Sequence, residues 1–173
     1  DSLGRQAGTM SAAAETIEQL AGRLGAGLRA QHLTLATAES CTAGGLGYAV
    51  TLVPGSSQWY DRGFITYSNE SKMQMLGVST AYLRDFGAVS EPVARAMAIG
   101  ALSHSAAQVA VSVTGIAGPD GGTPDKPVGT VWFAWARRGG RTDIHCQCLS
   151  GDRDGVRAGT IEIALRGVLA RLR

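Results

Sequence analysis

A serine, Ser40, lies where an apolar run of the sequence gives way to a Gly-rich turn, in the segment TLATAESCTAGG. The run 33–38 is typical of a buried strand, and Thr42 to Gly45 is expected to open a helix. A hydroxyl at such a switch lies close to the unpaired N–H groups of the helix start, which favour an oxyanion or a phosphate. Such a position would suit a nucleophilic serine; the alternative, which this short motif by itself does not exclude, is that Ser40 or Thr42 only caps the helix.

Lys72 is the best candidate for a base that would activate Ser40. It follows Tyr67 in a loop after a second apolar strand, in the first turns of a helix that also carries two methionines. A helix N-terminus and partial burial both lower the pKa of a lysine, and a neutral amine can accept a proton. The other lysine, Lys126, lies in a Gly/Pro-rich loop, and arginines cannot act as bases. The alternative is a solvated lysine on an exposed helix face.

A third candidate segment is the loop 114–127, which is long and rich in glycine and proline. Loops of this length usually serve a function, and glycine lets backbone N–H groups approach a ligand closely. The loop lacks the lysine and the spacing of a phosphate-binding P-loop, which argues against a nucleoside triphosphatase. The alternative is a plain flexible loop.

Helices and strands expected from the hydrophobic pattern alternate along the chain. Apolar spacings of three and four predict helices, and runs rich in β-branched or aromatic residues predict strands. Helices are expected at 11–30, 42–52, 69–76, 79–86, from 90 onward and at 152–172, and strands at 33–38, 59–67, 109–113, 128–136 and 143–149.

This order of elements predicts an α/β fold with three layers, α/β/α, around a mixed, mostly parallel sheet of about five strands. The Gly-rich segment 138–141 predicts a hairpin between the last two strands, so one strand is expected to run antiparallel. In such sheets ligands bind at the carboxyl ends of the strands. The loops 39–45, 67–72 and 114–127 are therefore expected to form one site.

Composition limits the classes of function. With 45% apolar and 17% charged residues, the chain is expected to form one globular domain over 9–173, with residues 1–8 disordered or added in cloning. A net charge of +2 without a basic run argues against nucleic acid, and no apolar run is long enough for a membrane helix. Three cysteines make no disulfide framework, so a reducing cytoplasm is expected. Cys146 and Cys148 alone are a weak metal signal, and no metal or other cofactor is expected.

Four segments stand in a specific order along the chain: AESCTAGG, GSSQWYDRGFITYSNESK, SVTGIAGPDGGTPDKPVGTVW and SGDRDGVR. Together they resemble the C-terminal domain of the CinA (competence-damage-inducible) proteins, the family of nicotinamide-mononucleotide deamidases. The resemblance extends over residues 9–171. It implies hydrolysis of the carboxamide of nicotinamide mononucleotide (NMN) to nicotinate mononucleotide and ammonia, without a metal, in a homodimer.

The resemblance also implies roles for individual residues. A serine and a lysine hydrolyse the amide in that family with the help of a tyrosine, and the matching residues are Ser40, Lys72 and Tyr67. Helix N–H groups near Cys41 to Ala43 are expected to hold the oxyanion, with Cys41 as the weaker alternative nucleophile. At position 43, where this chain has alanine, many members of the family have glycine. The predicted substrate-binding residues are Cys41, Thr42, Gly44, Asn69, Thr114, Gly115, Ala117, Gly118 and Arg153.

Two alternatives stay open at the level of sequence. Arg153 is expected to contact the phosphate or a carboxylate of the substrate, but it could instead pair with Asp152 or Asp154 on a solvated helix start. The domain could also be a non-catalytic module that binds a nucleotide or a partner, with Ser40 serving only as a helix cap. A metal-dependent hydrolase is disfavoured because the sequence shows no cluster of histidine and aspartate.

Overall fold

The structure, a computed structural model, describes residues 14–172. The expected disordered stretch 1–8 and the first residues of the expected helix 11–30 lie outside the described residues. In chain order the helices and strands are α1 (Ile17–Ala30), β1 (Leu35–Glu39), α2 (Gly45–Val50), β2 (Tyr60–Ile65), α3 (Asn69–Leu76), α4 (Thr80–Phe86), α5 (Glu91–Ser103), β3 (Val109–Gly115), β4 (Thr130–Arg137), β5 (Thr142–Cys148) and α6 (Arg153–Ala170). None of these helices is long and apolar enough to cross a membrane.

The five strands form one mixed sheet in the order β2-β1-β3-β4-β5. β1 pairs in parallel with β2 and with β3, while β4 pairs antiparallel with β3 and with β5. β4 is thus the one strand of this sheet that runs against the other four. The predicted mixed sheet with one antiparallel strand is confirmed.

Helices cover both faces of the sheet, which confirms the predicted three layers. Successive side chains of a strand point to opposite faces, and β1 shows this directly. Leu35 packs with residues of α1, α2 and α6, whereas Ala36 and Ala38 pack with residues of α3, α4 and α5. Every residue of β1 is buried, as expected for a strand that is covered on both faces. Leucine and alanine supply three of its five residues, and Thr37 and Glu39 are the polar ones.

The carboxyl ends of β1, β2 and β3 lie side by side because these strands are parallel neighbours. Glu39, the last residue of β1, is in register with both Ile65 of β2 and Val113 of β3. Ser40 directly follows β1, Tyr67 lies two residues after the end of β2, and Thr114 is the next-to-last residue of β3. The sheet therefore brings three distant parts of the sequence to one edge.

Local signals place α3, which carries Lys72, at the same edge. The side chain of Ser68 accepts a hydrogen bond from the Ser71 N–H at 3.0 Å and so caps the helix start. Gly77 ends the helix in the left-handed conformation. α5 packs closely on α3 because Gly100 has no side chain; a Cβ there would collide with the Leu76 carbonyl.

The start of α2 differs from the prediction. The helix begins at Gly45 and has six residues, whereas the sequence pattern placed its start at Thr42. Ala43 and Gly44 have φ values of 47° and 96°, in the left-handed region, which a right-handed helix cannot contain. Residues 40–44 are therefore a turn between β1 and α2, not the first turn of the helix.

Candidate active site

A cavity of about 190 Å3 opens at the carboxyl ends of the parallel strands. It is built from the turn after β1, the loop after β2, the helix α3, the end of β3 and the first residue of α6. The lining residues are Ser40, Cys41, Tyr67, Lys72, Ala88, Val89, Thr114, Gly115, Ala117 and Arg153. A larger cavity of about 320 Å3 lies beside Trp135 near the opposite end of β3, and neither the serine nor the lysine lines it.

Ser40 and Lys72 are in direct contact in this cavity. The Lys72 Nζ lies 3.0 Å from the Ser40 Oγ, which is hydrogen-bonding distance. Lys72 is fully buried and Ser40 is 8% exposed, so the pair sits at the floor of the cavity and not on a solvated helix face. The solvated-lysine alternative is therefore wrong.

The surroundings of Lys72 make the neutral amine easier to reach than in an exposed lysine. Burial penalises the ammonium and lowers the pKa of Lys72 to about 8. The Thr66 and Tyr67 carbonyls accept hydrogen bonds from Nζ at 2.7 and 3.1 Å. A neutral amine has two N–H groups and one lone pair. With both N–H groups held by these carbonyls, the lone pair is left to face the hydroxyl of Ser40.

A buried carboxylate, Glu39, organises the turn next to Ser40. Its Oε1 accepts hydrogen bonds from Thr42 Oγ1 at 2.5 Å, the Gly44 N–H at 3.2 Å and the Leu46 N–H at 2.8 Å. Its Oε2 accepts from the Gly47 N–H at 3.0 Å. The N–H groups at the start of α2 thus bind the carboxylate of the protein itself. Sequence reasoning placed Glu39 at a strand end without a role, because its partners are set by the turn.

The prediction that helix N–H groups near Cys41 to Ala43 hold the oxyanion also needs a correction, because these residues form a turn before α2. The Ser40 N–H donates to the Val113 carbonyl at 3.1 Å, and the Ala43 N–H donates to the Ser40 carbonyl at 3.1 Å. Of the predicted donors at 41–43, Cys41 and Thr42 are the ones whose N–H groups have no acceptor among residues 14–172. These two amides precede α2, so they belong to the turn and not to the helix start.

Cys41 is a poor nucleophile in this environment. It is 5% exposed, and burial raises the pKa of its thiol to about 11. The sequence suggested that a helix start would lower this pKa, but α2 begins four residues later and its free N–H groups are taken by Glu39. Cys41 stays a thiol at neutral pH, and its reactivity is correspondingly low.

Arg153 and Tyr67 bridge the mouth of the cavity. Arg153 donates from Nη1 to the Gly118 carbonyl at 2.8 Å and from Nη2 to the Tyr67 hydroxyl at 3.3 Å. The alternative pairing of Arg153 with Asp152 or Asp154 is not among the ion pairs of residues 14–172. Tyr67 touches Lys72 through its carbonyl, while its hydroxyl is held by Arg153.

The structure brings most of the predicted site residues together. Thr114 lines the cavity, although its hydroxyl donates to the Ala88 carbonyl at 3.0 Å. Gly118 contacts the site because its carbonyl accepts a hydrogen bond from Arg153. The four predicted residues that do not line the cavity are Thr42, Gly44, Asn69 and Gly118 itself. Thr42 and Gly44 instead contact Glu39, and Asn69 is exposed at the start of α3.

Sequence reasoning missed two of the lining residues, Ala88 and Val89. They are small apolar residues just before the strong helix start at Ser90, and nothing in their type signals a site. Arg157 was also missed: its Nη2 donates to the Thr42 carbonyl at 3.3 Å and so braces the turn from α6.

No group of three or more His, Cys, Asp or Glu side chains within 14–172 is arranged to hold a metal ion.

Comparison with known proteins identifies the family of this chain. The family model of the CinA C-terminal domain matches residues 17–172. The nicotinamide-nucleotide amidohydrolase PncC of Escherichia coli (strain K12) is 53% identical over 148 residues, which cover 86% of this chain and 90% of that protein. The crystal structure of the competence/damage inducible protein CihA from Agrobacterium tumefaciens matches with a TM-score of 0.87 at 46% identity, covering 89% of this chain and 94% of that one.

A CinA superfamily protein from Enterobacter cloacae matches with a TM-score of 0.91 at 33% identity, over 98% of this chain and all of that one. The family model extends over all five strands and the residues of the site at the edge of the sheet. The resemblance that the four sequence segments indicated is confirmed. The chain belongs to the CinA C-terminal domain family.

Proposed function

We propose that this protein is an amidohydrolase that removes ammonia from the carboxamide of nicotinamide mononucleotide, with Ser40 as nucleophile and Lys72 as general base. The observation that carries the proposal is the contact of 3.0 Å between the buried Lys72 Nζ and the Ser40 Oγ. The name of the E. coli relative, a nicotinamide-nucleotide amidohydrolase, supports the choice of substrate.

The first step forms a bond from Ser40 to the carboxamide carbon. Neutral Lys72 takes the proton of the hydroxyl, and the Oγ electron pair attacks the carbon while the carbonyl π electrons move to its oxygen. The resulting oxyanion is placed beside the free N–H groups of Cys41 and Thr42. A single preorganised donor of this kind contributes about 3 kcal/mol to the transition state.

The second step releases ammonia. The oxyanion reforms the carbonyl, the C–N bond breaks, and the leaving nitrogen takes the proton that Lys72 holds. An acyl-enzyme on Ser40 remains, and Lys72 is neutral again. Water then donates a proton to Lys72 and its oxygen attacks the acyl carbon, which gives nicotinate mononucleotide and returns the proton to Ser40.

The size of the cavity indicates how the substrate lies. Sites that enclose a drug-sized ligand measure roughly 300–1,000 Å3, and this cavity has about 190 Å3. We therefore place the pyridine ring and its carboxamide inside, with the ribose and phosphate at the mouth. Arg153 lies there, and a guanidinium can bind phosphate with two parallel N–H donors.

The test of the proposal is release of ammonia from NMN by the purified protein, with and without EDTA. We expect turnover that the chelator leaves unchanged, and we expect Ser40→Ala to abolish it while the fold and NMN binding persist. Ser103→Ala is the matched control, because Ser103 is exposed on α5 and away from the cavity. Near-normal turnover by Ser40→Ala would exclude this serine as the nucleophile. Binding of NMN without turnover by the unmodified protein would favour the non-catalytic module.

A further inference from the structure

Among residues 14–172, the mechanism above leaves one buried charged group unused, the carboxylate of Glu39. It is 1% exposed and accepts four hydrogen bonds from the segment that follows it. Resting on the proposed function, we propose that Glu39 is a positioning residue of the amidase. Its carboxylate folds residues 40–47 around itself, which turns Ser40 toward Lys72 and leaves the Cys41 and Thr42 N–H groups free for the oxyanion.

The number and kind of the bonds require a carboxylate. Oε1 takes three donors and Oε2 takes a fourth, and an ionised carboxylate is the one protein side chain that only accepts hydrogen bonds at both oxygens. A glutamine could satisfy the donors at one end only. Its NH2 group would then face either the Gly47 N–H or the three donors at Oε1, so at least one N–H would meet another donor.

An ordinary helix cap does not explain the arrangement. In such a cap the residue that directly precedes the helix binds one or two N–H groups of the first turn. Here the preceding residue is Gly44, which has no side chain, and the acceptor is Glu39, on the far side of the nucleophile turn. The side chain therefore fixes the distance between β1 and α2, and Ser40 lies between these two anchors.

The backbone of the turn shows that it is held from both sides. Ala43 has φ 47°, a left-handed conformation that costs an alanine about 1–2 kcal/mol. Glu39 holds Thr42, Gly44 and the helix start from the inside. Arg157 holds the Thr42 carbonyl from the side of α6 at 3.3 Å. Loosening the inner anchor would let the turn relax and shift the oxyanion donors.

Two substitutions test the inference without touching the cavity lining. Thr42→Val removes one of the four donors and keeps the shape of a side chain that is 1% exposed. Glu39→Gln changes the acceptor itself. The matched control is Thr160→Val, which removes a buried hydroxyl that donates to the Val156 carbonyl on α6. For each variant we would measure kcat and KM for NMN, the pH dependence of kcat/KM, and the folded fraction by circular dichroism at the assay temperature.

We expect Thr42→Val to lower kcat about tenfold, as for one lost hydrogen bond to a charged group, with KM nearly unchanged. For Glu39→Gln we expect a loss on the order of 10²-fold, as for a displaced oxyanion donor. The control should keep the kcat of the unmodified protein. The apparent pKa of the profile should stay close to that of the unmodified protein, because the burial that lowers the pKa of Lys72 is kept and the carboxylate of Glu39 is not among its causes.

The inference is overturned if both variants keep the kcat of Thr160→Val, or if their loss is accounted for by a smaller folded fraction. If Glu39→Gln does not fold, Thr42→Val decides the matter by the same criterion. Failure of the amidase proposal looks different, because ammonia release by the unmodified protein would then be absent or would persist in Ser40→Ala.

Discussion

The lowered pKa of Lys72 makes a prediction about pH that can be measured on both activity and stability. With a pKa of about 8, roughly one tenth of the lysine is neutral at pH 7 and about nine tenths at pH 9. The value of kcat/KM for NMN should therefore rise about tenfold between pH 7 and pH 9 and then level off. The substrate phosphate, with a second pKa near 6, is already about nine tenths doubly ionised at pH 7, so it adds little to this rise.

The same pKa fixes the sign of a stability effect. The folded protein holds Lys72 at about 8 and the unfolded chain at its ordinary value of 10.5, so the unfolded chain binds more protons between these values. Burial of the ammonium costs stability below pH 8, and that cost disappears as the pH rises through the interval. The distance between the two pKa values corresponds to about 3 kcal/mol.

Lys72→Met isolates this effect, because methionine fills similar space and does not titrate. We would measure the free energy of unfolding of both proteins by urea denaturation from pH 7 to pH 10. The stability of the unmodified protein relative to Lys72→Met should rise by about 1 kcal/mol per pH unit between pH 8 and pH 10, or about 2 kcal/mol in all. The two lost donors to the Thr66 and Tyr67 carbonyls add an offset that does not depend on pH. Parallel stability curves, or a flat kcat/KM profile, would refute the account of Lys72 as a buried base.

Three further substitutions give separate tests. Lys72→Arg should lose activity nearly as completely as Lys72→Ala in the ammonia assay, since arginine keeps the charge but cannot give up its proton; substantial activity would make Lys72 a binding residue. Arg153→Ala should raise KM for NMN much more than for nicotinamide riboside, which has no phosphate; equal losses would move the phosphate to the loop 114–127. Ala43→Gly should raise the free energy of unfolding by about 0.5–1 kcal/mol, because glycine relieves the left-handed strain at a smaller entropic cost. Ala158→Gly, exposed within α6, should lower it by about 1 kcal/mol, and a loss at both positions would contradict the strain.

Much of the fold follows from local rules that act along the chain. The alternation of apolar strands with amphipathic helices gave the layers, and the Gly-rich turn before Arg141 gave the antiparallel β4–β5 pair. Ser68 and Gly77 marked the ends of α3 because caps depend on a few neighbouring residues. The meeting of three loops also followed, since parallel strands put their carboxyl ends at one edge.

The turn at 40–44 could not be predicted from its residue types. Thr42, Ala43 and Gly45 are compatible with the first turn of a helix, and local propensity placed the helix start there. In the structure, N–H groups of the first turn of α2 donate to the carboxylate of Glu39. With two further donors from the turn, this buried carboxylate accepts four hydrogen bonds. A buried carboxylate that lacked these donors would cost more than the propensity of a few residues can supply, so the tertiary environment decided the local structure.

The catalytic residues, too, were determined partly by the sequence and partly by the tertiary structure. The sequence by itself determined which side chains were available: one serine after β1, one lysine on α3 and an arginine at the start of α6. Only the tertiary structure decided that Lys72 is buried, that its Nζ reaches Ser40, and that burial moves the pKa of Cys41 upward instead of downward. A pKa depends on the solvent and the charges within a few ångströms of a group, and packing between distant segments of the chain sets both.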